Sequence, residues 1–258
     1  MSAPRYLRRA RPALGTLVEI GARSPARRPE RAAPALEAAY RVLGEVERAL
    51  SAFDPASDVG RFNAAPAGAL LAVTDHTAAV LRAARRLGRE SDGLFDVTLG
   101  SGPLAWSLED KRGVPRLRKL SSAVRLDLGG VGKGYAVDRA FEALARALGG
   151  KAGCWVNAGG DLRVTGVELP VRLRDEREGG AYPWLVLREG AIATSHFAPG
   201  ARADLFGAPS LRSYVSVASP CCLWSDALTK VVALLGPAAH PVLARHRAHA
   251  FFHAERGP

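Results

Sequence analysis

The residues best suited to chemistry lie in one glycine-rich stretch, residues 126–135, which reads LDLGGVGKGY. Four glycines fall within six residues, from Gly129 to Gly134, and a helical pattern follows them. Glycines let backbone amides approach an anion closely, and the following helix adds unpaired amides and the positive end of its dipole. With the charge of Lys133, this stretch could hold a phosphate group. Its spacing matches neither the dinucleotide-binding fingerprint nor the Walker loop, so a tight turn without a ligand remains the alternative.

Two further side chains could take part in chemistry. Asp96 is a carboxylate between Phe95 and Val97 in a short apolar segment. Burying a carboxylate without a partner is costly, so we expect Asp96 to bind a ligand or to accept hydrogen bonds. His196 could act as a base, because the unperturbed histidine pKa of about 6.5 suits proton transfer near neutrality. It could equally be a surface loop histidine.

Helices and strands must position these residues, and their predicted order shows no regular alternation. We expect helices at residues 34–50, 75–90, 136–148 and 225–235, with a short helix capped by Ser57 or Asp58. We expect strands at residues 17–20, 95–99, 124–128, 152–157, 162–167, 185–187, 191–194 and 214–218. This mixture favours an α+β architecture over a doubly wound sheet.

The chain is basic, with a formal charge of +11 over 258 residues. Such a balance could favour nucleic acid or a phosphorylated ligand. The arginines, however, are scattered along the whole length, aromatics make up only 7%, and no nucleic-acid module is recognisable. We therefore expect a solvated basic surface and no specific nucleic-acid partner.

The cysteines and the C-terminal histidines do not form a metal motif. Cys221 and Cys222 are adjacent, a poor geometry for a disulfide, and Cys154 lies in an apolar run. We read all three as buried thiols of a reducing compartment. The four histidines have no neighbouring Cys or Asp, so we expect them on helix and strand surfaces: His240, His246, His249 and His253.

The N-terminal residues predict no leader and no membrane span. Residues 1–12 form a basic tail without an apolar run of seven, and residues 22–33 form a Pro- and Arg-rich linker. No stretch approaches 18 apolar residues. The expected location is the cytoplasm.

Seven segments, taken together, resemble the FAD:protein FMN transferases of the ApbE type. The segments are ALGTLVEI, SAFDPASDVGRFN, SDGLFDVTLGSGPLAW, RLDLGGVGKGYAVDRA, VNAGGDLRVTG, AIATS and SDALTK, in this order from about Ala13 to Gly236. The resemblance implies one unit over residues 1–258, built from two interlocked α+β halves with mixed or antiparallel sheets. It implies a transferase that moves FMN from FAD onto a threonine of a partner flavoprotein, releases AMP and uses a divalent metal, usually magnesium.

The resemblance also implies a set of residues that bind FAD. The glycine loop and Lys133 would meet the pyrophosphate, and Asp127 would face a polar edge of the cofactor. Three apolar members could instead belong to the core: Leu14, Phe53 and Phe95. The full set of cofactor-binding residues is Leu14, Phe53, Leu94, Phe95, Asp96, Asp127, Gly129, Gly130, Lys133, Gly159 and Gly160.

The implied metal ligands are the Gly130 carbonyl, Asp226 and Thr229. The family has Thr or Ser four residues after the Asp, where this chain has Lys230, whose ammonium would pair with Asp226. The implied catalytic residues are Asp226, Thr194 and His196, with Ser195 as a further hydrogen-bond donor.

Two departures keep a second reading open. His196 replaces a family glycine, and residues 201–217 lack the family's HIIDPRTG-like run. A degenerate member that binds flavin nucleotide without transferase activity is therefore the alternative.

Overall fold

A seven-stranded antiparallel sheet forms the centre of the computed structural model, which describes residues 6–23, 32–150, 152–174, 181–197 and 214–253. The strands are β1 (Tyr6–Ala13), β2 (Thr16–Arg23), β3 (Leu70–Ala72), β4 (Trp106–Lys111), β5 (Val114–Lys119), β6 (Cys154–Ala158), β7 (Asp161–Thr165), β8 (Leu169–Arg174), β9 (Ala181–Leu187), β10 (Gly190–His196), β11 (Tyr214–Ser219) and β12 (His249–His253). The helices are α1 (Ala32–Leu50), α2 (Asp58–Ala64), α3 (Asp75–Glu90), α4 (Gly132–Ala147), α5 (Cys222–Leu235) and α6 (His240–Arg245).

The large sheet has the order β1-β2-β6-β7-β10-β11-β12, and a smaller sheet has the order β3-β5-β4. Every strand pair within the described ranges is antiparallel. The predicted α+β class is therefore confirmed. That residues 1–258 form a single domain stays a prediction.

Helices α1, α4 and α5 pack on one face of the large sheet and enclose the main core. Helix α1 lies along α4 because both carry an apolar stripe, and Leu36, Leu43 and Leu144 on these stripes are fully buried. Helix α5 lies across β10 and β11. The opposite face carries a smaller cluster around Trp155 and Ile192, against which the β8–β9 hairpin packs.

The predicted helices are all present, and three of them start earlier than expected, the first being α1, which begins at Ala32 instead of residue 34. Helix α3 has the predicted bounds, and its N-cap Thr74 accepts a hydrogen bond from the Thr77 amide. Ser57 caps α2 in the same way. Helix α4 starts at Gly132 instead of residue 136, so Lys133 and Gly134 lie in its first turn. Helix α5 starts at Cys222 instead of residue 225.

Two predicted strands, at residues 95–99 and 124–128, are wrong. The first is a series of turns, because the Asp96 carboxylate accepts hydrogen bonds from the backbone amides of Thr98 and Gly100. The second has no regular secondary structure and pairs with none of the strands that the structure describes. Its Leu126 backbone hydrogen-bonds to the side chain of Asn63 instead.

The basic tail at residues 1–12 is also a wrong prediction for the part that the structure describes. Residues 6–13 form the edge strand β1, on which Arg9 and Arg11 both pair with Glu37 of α1. The predicted linker at residues 22–33 is shorter, since β2 continues to Arg23 and α1 begins at Ala32. Residues 24–31 lie outside the described residues.

The sequence reading missed the β4–β5 hairpin, β3, β8, β12 and α6. The hairpin turns at Arg112 and Gly113, both at positive φ. The thiols of Cys154 and Cys222 are buried and that of Cys221 is half-buried, and all three are free. Burial raises the pKa of Cys154 to about 12. Among the helices that the structure describes, none combines the length and the apolar character needed to cross a membrane.

Candidate active site at the start of helix α4

The glycine loop is held in place from both sides by hydrogen bonds to neighbouring segments. The Asn63 side chain at the end of α2 donates to the Leu126 carbonyl at 2.9 Å and accepts from the Leu126 amide at 2.7 Å. The Asp127 amide donates to the Val97 carbonyl at 2.8 Å. These contacts replace a strand ladder and bring the loops around residues 63 and 97 against the glycine loop. Our sequence reading did not single out Asn63, although it ends one of the quoted segments.

The start of α4 is open to a ligand. Its N-cap residue, Val131, makes no side-chain capping hydrogen bond, and the first-turn amide of Gly134 donates instead to the Asp226 carboxylate. Gly129 is exposed, and its amide donates to the Asp127 carboxylate at 2.7 Å. Among the described residues no acceptor is found for the amides of Gly130 and Lys133, so the start of this 16-residue helix still presents a positive dipole end and two donors, the features that bind phosphate groups.

An aromatic side chain stands free beside this helix start. A Cβ on Gly132 would lie 3.4 Å from Leu50 Cδ1, so the end of α1 touches the beginning of α4. Phe53 comes three residues after Leu50, so the two residues are within about 10 Å of each other. The Phe53 side chain is 98% exposed. The core alternative is therefore wrong for Phe53. Phe95, in contrast, is buried in the core, and Leu94 is half-buried.

Asp96 finds its partners inside its own loop. One carboxylate oxygen accepts from the Thr98 amide at 2.8 Å, and the other accepts from the Gly100 amide at 2.9 Å. The Thr98 hydroxyl also donates to this carboxylate. The expected hydrogen-bond role is confirmed, and it shapes the loop that contacts the glycine loop.

The β1–β2 turn closes another side of the region. Leu14 and Gly15 form the turn at positive φ, and the Leu14 amide donates to the Glu47 carboxylate at 2.8 Å. Gly159 approaches this hairpin so closely that a Cβ would lie 2.4 Å from Thr16 Oγ1. Beside the hairpin lies a cavity of about 460 Å³, lined by Pro12, Ala13, Gly15, Thr16, Leu17 and Glu47.

Four charged side chains lie beneath the glycine loop: Lys133, Asp161, Asp226 and Lys230. Lys133 Nζ is 3.0 Å from Asp161 Oδ2, and Lys230 Nζ is in direct contact with Asp226 Oδ1. Both carboxylates are almost fully buried. Burial and the nearby charge of Asp226 raise the pKa of Asp161 to about 6, and the charge of Asp161 raises the pKa of Lys133. The protonation of each carboxylate in these two ion pairs therefore depends on the charges of the other pair.

The hydroxyl of Thr229 is engaged by protein atoms. It donates to the Asp226 backbone carbonyl at 2.7 Å and lies 2.8 Å from Ser195 Oγ. Lys230 Nζ donates to the same carbonyl at 3.1 Å and to Ser195 Oγ at 3.4 Å. Ser195 thus belongs to the Asp226 side of the sheet.

The structure does not bring Thr194 and His196 together with Asp226. Side chains alternate across a strand, so these two residues of β10 lie on the face opposite to Ser195. Thr194 Oγ1 is 2.7 Å from Ser216 Oγ, and the His196 ring stacks on Tyr214 with centroids 4.3 Å apart. The residues with which we expected the HIIDPRTG-like run to align lie, from 201 to 213, outside the described residues.

A divalent metal does not fit the donors that the resemblance implies. The Asp226 carboxylate accepts from the Gly134 amide at 2.9 Å and is paired with Lys230, while the Thr229 hydroxyl is already bonded. Gly130 lies against Lys230, whose Cε would be 3.5 Å from a Cβ at that position. Within the described residues, no three His, Cys, Asp or Glu side chains are grouped closely enough to hold a metal.

We expected all four C-terminal histidines on the surface, and this prediction is wrong for His246. His246 is buried, and its Nε2 lies 2.6 Å from a Glu90 carboxylate oxygen. His253 Nε2 lies 2.9 Å from Ser216 Oγ.

Asp138 is a positioning residue that our sequence reading missed. Its carboxylate caps α5 by accepting from the amides of Cys222 at 2.8 Å and Leu223 at 2.9 Å. Arg163 Nη1 pairs with the same carboxylate at 2.7 Å. Because Asp138 lies on α4, this cap fixes the position of Asp226 relative to the glycine loop. A signal was available, since Asp138 lies in the quoted segment RLDLGGVGKGYAVDRA.

Comparison with solved structures finds the same fold in ApbE proteins. The ApbE protein of Thermotoga maritima has a TM-score of 0.80 at 21% identity, covering 98% of this chain and 96% of that one. The flavinyl transferase ApbE of Pseudomonas stutzeri, in its apo form, has a TM-score of 0.76 at 20% identity, covering 98% and 92%. The flavin transferase ApbE of Vibrio cholerae has a TM-score of 0.73 at 19% identity, covering 97% and 94%.

Comparison with curated proteins finds no match. The sequence model described as the ApbE family matches residues 14–197, which is more than half of the chain and includes the glycine loop, Asp138 and Asp161. By this match, and in agreement with its fold, the chain belongs to the ApbE family.

Proposed function

We propose that this chain transfers FMN from FAD onto a threonine hydroxyl of a partner flavoprotein and releases AMP. The observation that supports this most is the glycine-rich start of α4, whose N-cap residue provides no side-chain cap, with the half-buried Lys133 and the buried Lys230 below it and the exposed ring of Phe53 nearby. Such a site suits a ligand that joins a pyrophosphate to a large flat ring. Family membership and the named flavin transferases among the structural neighbours support the same activity.

The proposed reaction exchanges one phosphorus–oxygen bond for another. The threonine oxygen bonds to the phosphorus of the FMN half, while the phosphoanhydride bond to the AMP half breaks. The electron pair of the broken bond leaves with AMP, and the hydroxyl proton passes to solvent. Catalysis of such a step is mainly positioning and stabilisation of charge on the phosphate oxygens. The amides of Gly130 and Lys133 and the ammonium of Lys133 are suited to that task.

The roles of the other predicted residues have unequal support. Phe53 and Leu94 remain proposed flavin contacts, and the cofactor-binding roles of Leu14, Phe95, Asp127, Gly159 and Gly160 remain predictions. Thr194 and His196 remain predictions that the sheet geometry does not favour. The oxygen atoms to which the resemblance assigns magnesium are already held by protein groups. We therefore assign phosphate binding to the chain's own amides and lysines.

Titration of the purified protein with FAD tests the proposal. The adenine quenches flavin fluorescence in FAD, so cleavage raises the fluorescence while chromatography measures AMP. To detect transfer, proteins of the organism that encodes this chain (the host proteins) are added with the FAD. Flavin bound covalently to an acceptor then appears on a denaturing gel as a fluorescent host-protein band. We expect AMP and covalent flavin in equal amounts. AMP without covalent flavin, or no FAD binding, would contradict the proposed activity.

A second candidate function is flavin-nucleotide binding without transfer. The Lys230–Asp226 pair favours it, because it occupies the carboxylate to which the resemblance assigns a metal. Tight FAD binding with no AMP after prolonged incubation with host proteins would identify this alternative. The acceptor protein, the cytoplasmic location and the lack of a specific nucleic-acid partner remain predictions.

A further inference from the structure

The charge cluster beneath the glycine loop is electrically neutral as it stands. Lys133 and Lys230 contribute two positive charges, and Asp161 and Asp226 contribute two negative charges. Asp161 is influenced by Asp226 and by both lysines, so the charges act on one another. Asp226 and Lys230 are both buried, which excludes water from screening their contact. The negative charge of Asp226 is therefore balanced by a lysine of the same chain.

The side chain of Lys230 runs directly under the glycine loop. A Cβ on Gly130 would lie 3.5 Å from Lys230 Cε and 3.9 Å from its Cδ. The ammonium is held by the Asp226 carboxylate, by the Asp226 carbonyl at 3.1 Å and by Ser195 Oγ at 3.4 Å. A fixed positive charge therefore lies next to the amides that face the phosphate site.

A divalent cation would compete with this ammonium for the same oxygens. Magnesium requires a near-octahedral shell of hard oxygen ligands at about 2.0–2.1 Å. The Asp226 carboxylate is already held by Lys230 and the Gly134 amide, and the Thr229 hydroxyl is held by Ser195 and a carbonyl. Adding two positive charges beside a buried ammonium is repulsive.

We propose that the Lys230 ammonium takes the place of the divalent metal, so that this chain binds and uses FAD without one. The inference rests on the proposed function, in which the pyrophosphate lies over the glycine loop. The Lys230 ammonium, held by Asp226, would lie close to the phosphate oxygens and stabilise the charge on them while the phosphoanhydride bond breaks. No proton moves to or from Lys230, and the bond exchange is the one given above.

The first test measures metal binding without any flavin. Mn²⁺ is titrated into the wild-type protein and the Lys230→Thr variant, and free Mn²⁺ is followed by electron paramagnetic resonance. Lys230→Thr removes the ammonium and adds a hydroxyl, so we expect it to bind Mn²⁺ at least tenfold more tightly than the wild type. Lys230→Arg retains the charge and should bind no better than wild type. Lys111→Thr, at an exposed lysine of the β4–β5 hairpin, should also show no gain.

A thermal melt shows whether the variants are folded and reports the same metal site. Added Mn²⁺ should raise the melting temperature of Lys230→Thr and leave that of the wild type unchanged, because a ligand stabilises only a native state that binds it. Tight one-to-one Mn²⁺ binding by the wild type, lost in Asp226→Asn, would overturn the proposal.

The second test compares FAD affinity in EDTA and in magnesium. The wild-type dissociation constant should change less than twofold, whereas that of Lys230→Thr should fall at least tenfold when magnesium replaces EDTA. A tenfold dependence on magnesium in the wild type would overturn the proposal. If FAD does not bind under any condition, the proposed function fails, and the Mn²⁺ titration still decides whether Lys230 occupies the cation position.

Discussion

Gly134 and Asp226 join helices α4 and α5 through a hydrogen bond of 2.9 Å from the glycine amide to the carboxylate. A Cβ on Gly134 would lie 2.6 Å from Asp226 Cβ and 2.4 Å from the Cys222 carbonyl oxygen. The closeness of the two helices therefore depends on the absence of a side chain at this position. The buried Lys230–Asp226 pair is placed by the same contact.

Gly134→Ala should destabilise the protein by about 1–3 kcal/mol, because the added methyl group forces the two helices apart. The matched control is Gly44→Ala in α1, where the methyl group would meet only Arg48 Nη1, at 3.3 Å. Since alanine is favoured over glycine inside a helix, the control should gain up to about 1 kcal/mol. Urea denaturation measures both, and equal stabilities of the two variants would contradict the packing argument.

Asp226→Ala should abolish AMP release while weakening FAD binding no more than about tenfold, equivalent to about 1.4 kcal/mol. The substitution removes the partner of the Lys230 ammonium and the acceptor of the Gly134 amide, but it leaves the Gly130 amide and Lys133 in place. Fluorescence titration gives the affinity, and chromatography of AMP gives the turnover per bound FAD. Reduced affinity with unchanged turnover per bound FAD would rule out this role. Asp110→Ala, at an exposed site, should change neither quantity.

Asp138→Ala should lower the free energy of unfolding by about 2–4 kcal/mol, because it removes the cap of α5 and leaves Arg163 without its buried partner. Glu168→Ala breaks an exposed pair with Arg188 and should cost less than about 1 kcal/mol. Chemical denaturation of the two variants gives the comparison. A loss in Asp138→Ala as small as that of the control would show that α5 does not depend on this cap.

FAD binding should tighten as the pH falls from 7 towards 5. The pKa of Asp161 is raised to about 6, so this carboxylate gains a proton in that window and the cluster changes from neutral to a net charge of +1. One unit charge at about 4 Å in water is worth about 1 kcal/mol, so we expect up to about fivefold tighter binding. In Asp161→Asn this pH dependence should be absent. An identical pH profile in both proteins would contradict the assignment.

The raised pKa of Asp161 also affects how the folding stability depends on pH. The native state holds the Asp161 proton more tightly than the unfolded chain, whose ordinary aspartate pKa is 3.8. The stability contributed by this group is therefore present at low pH and is lost as the pH rises from about 4 through about 6. The free energy of unfolding of Asp161→Asn should rise more steeply with pH in that window than that of the wild type. Urea denaturation at a series of pH values measures it.

Phe53→Ala should weaken FAD binding about 5- to 150-fold, because stacking of a base on an aromatic ring contributes about 1–3 kcal/mol. The ring is almost fully exposed, so the melting temperature should hardly change. Phe252→Ala, at a partly exposed aromatic on the edge strand β12, controls for general loss of aromatic surface and should leave FAD affinity unchanged. Equal affinities of Phe53→Ala and the wild type would show that the ring does not contact the flavin.

The sequence predicts the helices well because their apolar periodicity and caps are local properties. Helix α3 is an example, since Thr74 and the apolar stripe define both of its ends. The strand errors have a common cause, which is that side chains replace a neighbouring strand. The side chains of Asn63 and Asp96 hydrogen-bond to backbone groups that, judged from the apolar pattern, would pair with a neighbouring strand. Hydrophobic periodicity does not show which backbone groups are bonded by side chains.

The same distinction applies to the candidate site. The glycine loop, Lys133 and Asp226 could be found from motifs, and the Lys230 pairing followed from its i,i+4 spacing to Asp226. The partners of Asp138 and Asp161 could not, because they come from segments that are distant in sequence. The face of β10 on which Thr194 and His196 lie depends on strand register, which the sequence pattern alone did not supply.

The contact of α5 with the glycine loop also has a consequence for synthesis. Lys133 leaves the ribosome roughly 100 residues before Lys230, an interval of about 5 to 20 seconds at ordinary translation rates. During this interval the nascent chain carries the glycine loop without the buried carboxylate and ammonium of α5. The complete phosphate site is therefore one of the last parts of the molecule to assemble, and flavin binding reports a finished fold.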